Sequence, residues 1–183
     1  MIVAITELLS IHNRYTRGHS QNVAELAHDL ADKMGLPQEE LTKAYWAGMV
    51  HDIGKMLVTN QILDKKSNLN HQEYQTIKKH PIWGYKALKR TEELEELAVY
   101  VKHHHERWDG KGYPDGLKEE EIPLISQIIS VVDAWDAMTS DRAYRKPLSD
   151  KQAIKQLKQK KGTQFSPRIV DVFVKMISQT IKS

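Results

Sequence analysis

The stretch Ile122 to Met138, IPLISQIISVVDAWDAM, is apolar almost all the way round a helix, yet carries Asp133 and Asp136 one turn apart. A helix without a polar face has to be wrapped by other elements. This segment therefore predicts a central buried helix with the rest of the chain packed around it. Two ionised carboxylates on such a helix are costly unless they meet a cation. For Asp133 a metal ion is the favoured partner. Asp136 reads equally as half of an ion pair with Arg142 or Arg145, just downstream.

Helical spacing supplies the wrapping. Val23, Leu26, Ala27, Leu30, Ala31 and Met34 line one face of a helix from His19 to Met34, and Gly35 stops it. Pro37 opens a second helix to about Val50, with Glu39 and Glu40 in its first turn. Others are expected over His71–Lys79, ending before Pro81, over Ile82–Leu88, and from Glu92 to about His105 behind a Thr91 N-cap. Ser149 with Gln152 marks a capping box. Ser166-Pro167 starts a last helix with Ile169, Val170, Phe173 and Ile177 inward. No segment alternates like a strand. The expectation is one all-α domain over residues 1–183, with residues 1–14 as the tail of an upstream helix or linker. Residues 106–121, with three glycines and a proline, form the main functional-looking loop.

Composition narrows the chemistry. The 183 residues hold 40% hydrophobic and 28% charged side chains, a globular balance. There are no cysteines, which removes disulfides and thiolate metal sites and points to a reducing compartment, the cytoplasm. The net charge of +3 suits an anionic ligand, but no basic tract reads as an arm for a nucleic-acid polymer. The longest apolar run, near Ile125 to Val132, is too short to span a bilayer, and no signal peptide is visible.

Nine histidines are the unusual feature. In the helix from Glu92, the face with Leu94, Leu97, Ala98 and Val101 continues to His104 and His105, while His103 turns outward. These two are either satisfied core histidines or ligands. "HDIGK", His51 to Lys55, adds an imidazole and a carboxylate that can bridge two ions, although His-Asp alone is a weak signal. His19 and His80, in "KKHPIWG", sit at helix ends; His12, His28 and His71 read as surface residues. Together His19, His51, Asp52, His80, His104, His105 and Asp133 are too many ligands for one ion and suit two. A nitrogen and oxygen set favours iron, manganese or zinc over copper or magnesium. Two ions about 3.5–4 Å apart are a standard arrangement for cleaving phosphate esters.

At these residues the chain resembles the HD-GYP family of metal-dependent phosphohydrolases. "HDIGK", "HPIWG", "HHERWDGKGYPDGL", "DAWDAMTSDRAYRK" and "GTQF" occur in the family's order and cover the chain from about Tyr15 onward. The resemblance implies an HD-type helical bundle around a binuclear metal site, two divalent ions (iron or manganese), and hydrolysis of cyclic di-GMP to pGpG and on to GMP. Related cyclic dinucleotides, or a weakly active binding module, are the other functions it allows. It implies the seven ligands above, with Asp52 bridging and catalytic. Lys55 would reach the scissile phosphate, Arg142 and Arg145 a second phosphate and a guanine edge, and Gly112 and Tyr113 of the Gly-Tyr-Pro loop the pocket border. Asp136 is counted with these substrate-side residues. The same loop is implied in contacts with diguanylate cyclase (GGDEF) domains. Three features depart from the family. Tyr15 stands where trinuclear members have a glutamate, so two ions are expected. Ser166 replaces a usual aspartate. No sensory domain precedes the motifs in this sequence, so the chain is expected to be either a stand-alone enzyme or the catalytic part of a longer protein.

Overall fold

The computed structural model describes residues 18–141 and 146–180. The helices are α1 (His19–Lys33), α2 (Gln38–Val50), α3 (Asn60–Leu63), α4 (His71–Ile77), α5 (His80–Leu88), α6 (Glu95–His103), α7 (Leu124–Thr139), α8 (Asp150–Lys160) and α9 (Pro167–Thr180). Single 3₁₀ turns cover Ile53–Leu57, Glu92–Leu94 and Glu119–Glu121. Among the described residues there is no strand, only an isolated bridge between Lys161 and Phe165. No helix among them is long and apolar enough to cross a membrane.

The apolar segment is indeed the centre. α7 buries Ile125, Ile128, Ile129, Val131, Val132, Trp135 and Met138, and packs against α1, α2, α6, α8 and α9. Its one uncharged polar intrusion, Ser126, is satisfied by donating to the Tyr100 carbonyl at 2.9 Å. α9 presents Ile169, Val170, Phe173 and Ile177 inward as read, and the Phe173 ring meets Trp135 edge-on at 5.5 Å. α8 starts where Gln152 Oε1 accepts from the Ser149 N–H, as the capping pattern required.

Three local expectations change. The helix from Glu92 is broken at Leu94, whose angles (φ −108°, ψ 2°) leave the helical region, and Thr91 makes no side-chain cap. The turn Ile53–Leu57 and helix α3 carry too few residues to show periodicity. Third, His103 is not turned outward. It is the last residue of α6 and only 8% exposed, because loop 106–121 folds back over it. The helical projection used to place it stops being valid at that point.

That loop is anchored at both ends. Trp108 N–H and Asp109 N–H donate to the carbonyls of Gln164 and Thr163 at 3.2 and 2.8 Å. Glu106, 2% exposed, accepts from the N–H groups of Asp115 and Gly116 at 2.7 and 3.0 Å. Asp115 in turn takes His103 Nε2 at 3.0 Å and Lys102 Nζ at 2.5 Å.

Candidate metal centre

Helix ends from distant parts of the sequence converge on one spot beside α7. α1 brings His19 from its first residue. The end of α2 delivers His51 and Asp52, α5 opens with His80, and α6 ends into His104 and His105. Asp133 projects from α7. Gly54 makes the closest approach possible: a Cβ there would overlap the His80 carbonyl oxygen and stand 2.8 Å from Gly84 N. Glycine at this place lets the HD turn sit directly on α5, and so sets His80 against Asp52.

The donor atoms form two groups, each drawn together within 4.8 Å: Asp52 with His80, His104 and His105, and His19 with His51 and Asp133. Asp52 stands between them. Its Oδ1 lies 3.3 Å from His80 Nε2, and its Oδ2 lies 3.4 Å from His51 Nε2 and 3.9 Å from His19 Nε2. His19 Nε2 is 3.4 Å from Asp133 Oδ1. His105 closes the first group and sets its ring edge-on to that of His80, the ring centres 5.0 Å apart.

Each imidazole is aimed from behind. Nδ1 of His51, His80 and His104 lies 2.7, 2.8 and 2.6 Å from the carbonyl three residues earlier, of Gly48, Ile77 and Val101. A carbonyl only accepts, so Nδ1 carries the proton and Nε2 presents a bare lone pair to the centre. Two of these lone pairs, on His80 and His104, then face each other at 3.3 Å. His51 Nε2 is buried with no hydrogen-bond partner. Buried acceptors pointed at one another are unfavourable unless a cation lies among them. The donor set therefore fits divalent metal ions, and its lack of sulfur fits iron, manganese or zinc.

Charge follows the same plan. Burial, then neighbouring His105, His80 and His51, hold His104 well below the ordinary imidazole range. Burial, then His80, push His105 down to about 3. Both are thus neutral at physiological pH, the form in which an imidazole can coordinate a metal. For His51 burial works against the charged form, but the Asp52 and Asp133 carboxylates outweigh it and raise the pKa. Burial likewise opposes ionised Asp52, and Lys55 and His51 overcome it, holding that carboxyl well below the usual range.

All seven expected ligands are brought together. Lys55 joins them, its Nζ 2.6 Å from Asp52 Oδ2. Tyr113 is at the border, its ring 4.9 Å from that of His105. Gly112 has a packing role: a Cβ would collide with the Glu106 and Arg107 backbone, so glycine seats the loop. Asp136 does not face substrate. Its carboxylate is 4% exposed, with Oδ2 2.6 Å from His19 Nδ1 and Oδ1 accepting from Asn22 and Ser140 at 3.1 and 3.0 Å. With both oxygens engaged it orients His19 from behind, as the carbonyls do for the other histidines, and the expected substrate contact is replaced by this one. Burial raises the Asp136 pKa, but the bond from His19 holds it lower. Arg142, Arg145 and Tyr15 lie outside the described residues. Glu106 was missed at the sequence level. Its signal was an acid between the tandem histidines and a glycine loop.

A family model described as an HD domain matches residues 4–169. The chain belongs to the HD domain family. Among its relatives, a cyclic di-GMP phosphodiesterase of Thermotoga maritima is 35% identical over 178 residues, 94% of this chain and 48% of that protein. A 3′3′-cGAMP-specific phosphodiesterase of Vibrio cholerae is 32% identical over 176 residues, 95% of this chain and 34% of that protein. The HD domain here thus spans about half or less of these relatives. A crystal structure of a cyclic GMP-AMP specific phosphodiesterase from V. cholerae has the same fold, with a TM-score of 0.75 at 16% identity, covering 97% of this chain and 48% of that one. The resemblance to HD-GYP proteins read from the motifs stands.

Proposed function

We propose that this HD domain is a metal-dependent phosphodiesterase that hydrolyses cyclic di-GMP to linear pGpG, with GMP as a further product. The reading is carried by Asp52, whose two oxygens stand 3.3 and 3.4 Å from histidines of two separate donor groups. Two divalent cations, iron or manganese, would be held there by His19, His51 and Asp133 in one donor group and by His80, His104 and His105 in the other, with the Asp52 carboxylate shared. Such a pair supplies Lewis acidity toward phosphoryl oxygens and an ionised water at neutral pH. The chain's own residues do the rest. The carbonyls of Gly48, Ile77 and Val101 fix the tautomer of three ligands, so no reorganisation is needed when substrate arrives. Lys55 places a cation beside Asp52, where negative charge gathers on a phosphate under attack, and stabilises that charge or the departing 3′ oxygen.

A second reading keeps the chemistry and changes one base, to cyclic GMP-AMP. It is favoured by the relative of that specificity, which matches 95% of this chain.

The test uses protein purified without oxygen, loaded separately with Fe(II) and Mn(II), and mixed with either cyclic dinucleotide. Chromatography should show pGpG appearing with time, and none with Asp52→Ala, which should also lose metal. Two bound ions and no product from either substrate would reject the enzyme reading.

A further inference from the structure

The segment leading into His80, "NHQEYQTIKKH", places Tyr74 and Lys78 four residues apart, on one face of α4 and its last turn. The helix is firmly seated for its length. Asn70 and Glu73 cap it reciprocally, each bond 2.8 Å, and Lys65 Nζ holds Glu73 at 2.6 Å. Two residues beyond Lys78 the chain becomes a ligand of the metal centre. A rigid short element therefore carries this face up to the site.

What the face presents is unusual. The Tyr74 ring is 50% exposed, among the most exposed large apolar side chains described. The Lys78 ammonium lies 4.6 Å from the Tyr113 ring centre and 5.9 Å from that of Tyr74. Tyr113 itself lies against His105 at 4.9 Å, its ring inclined by 30°. A metal ligand, a tyrosine, an ammonium and an open tyrosine thus follow one another outward from the centre. Ring faces attract the ammonium, but they take none of its three N–H bonds as a carboxylate would. No carboxylate pairs with Lys78 among the described residues, unlike Lys43, Lys65, Lys102 and Lys161. Among the described residues nothing takes its donors, and a ligand can.

We infer that Tyr74 and Lys78 form a guanine subsite: the base stacks on the open face of Tyr74 and its O6 and N7 accept from Lys78. This rests on the cyclic di-GMP reading above. The chemistry selects guanine because its edge carries two adjacent acceptors, whereas adenine places an N6 donor where O6 would be. Stacking tolerates either purine. The two residues therefore have separable signatures, Tyr74 for affinity and Lys78 for the choice of base.

The experiment compares metal-loaded wild type, Lys78→Ala, Tyr74→Ala and Tyr74→Phe. For each, KM and kcat/KM for cyclic di-GMP and the competitive inhibition constant of cyclic di-AMP are measured; KM and the inhibition constant are each independent of the fraction folded, so those two are compared. Lys78→Ala should lower kcat/KM for cyclic di-GMP about tenfold through KM, and shift cyclic di-AMP inhibition less than about twofold. Tyr74→Ala should weaken both about tenfold, and Tyr74→Phe should restore both. Equal losses for both nucleotides in Lys78→Ala, or no loss in Tyr74→Ala, overturn the subsite while leaving the function standing. A wild type that cleaves bis(p-nitrophenyl) phosphate but not cyclic di-GMP overturns the substrate reading, and the subsite with it.

Discussion

Substituting Gly54 by alanine tests whether the metal centre depends on one backbone contact. The added Cβ would overlap the His80 carbonyl oxygen and stand 2.8 Å from both His80 C and Gly84 N. All three are main-chain atoms of α5, so no side chain can swing aside. A carbon and a carbonyl oxygen settle at about 3.3 Å, so α5 has to retreat by more than about 1 Å. His80 rides on α5, and its Nε2 is 3.3 Å from Asp52 Oδ1. A displacement of that size costs on the order of 100-fold in rate where geometry governs catalysis. The overpacking itself costs about 1–3 kcal/mol. The assay has three arms: thermal denaturation of the metal-free protein, metal content by mass spectrometry, and hydrolysis of bis(p-nitrophenyl) phosphate. The expected result is a lowered Tm, loss of one or both ions, and activity down about 100-fold. A variant with wild-type Tm and two tightly held ions would refute the reasoning.

Asp136→Asn removes the charge that orients His19 and should weaken metal binding about 10–100-fold, read by titration against a chelator; unchanged affinity would mean that His19 needs no support. Glu106→Ala strips two N–H groups of loop 106–121 of their acceptor and should destabilise the fold by about 2–3 kcal/mol, measured by urea denaturation. The metal-free protein should lose stability on acidification. His104 and His105 bind protons in the unfolded chain below about pH 6.5, but in the folded one His105 does so only near about 3. Depressed imidazoles stabilise the fold above the unfolded value and lose that contribution as pH falls, and depressed Asp52 adds to the loss below its unfolded value of 3.8. Raised His51 acts in the opposite sense but is one group against two. A flat Tm between pH 7 and 4.5 would contradict this.

The sequence by itself determined the longer helices, the central place of α7 and the candidate ligand set. Those depend on periodicity and residue type: apolar side chains all round one helix, imidazoles at helix ends, no thiolate to compete. Tertiary structure decided how the donors divide. Nothing in the spacing says that Asp52 stands between two groups, or that carbonyls three residues back set the tautomers of His51, His80 and His104. Asp133 and Asp136 look alike on one helix face; only the packing of α1 against α7 separates a candidate ligand from the residue behind one. His103 was misplaced because helical projection fails where α6 ends and the Glu106 loop folds back. Tyr74 and Lys78 gave no signal in isolation. Their meaning comes from the Lys78 contact with Tyr113, 35 residues away in the chain, and through it with His105. Periodicity is a local property and can be read along the chain. Which charge meets which partner depends on distances that only folding fixes.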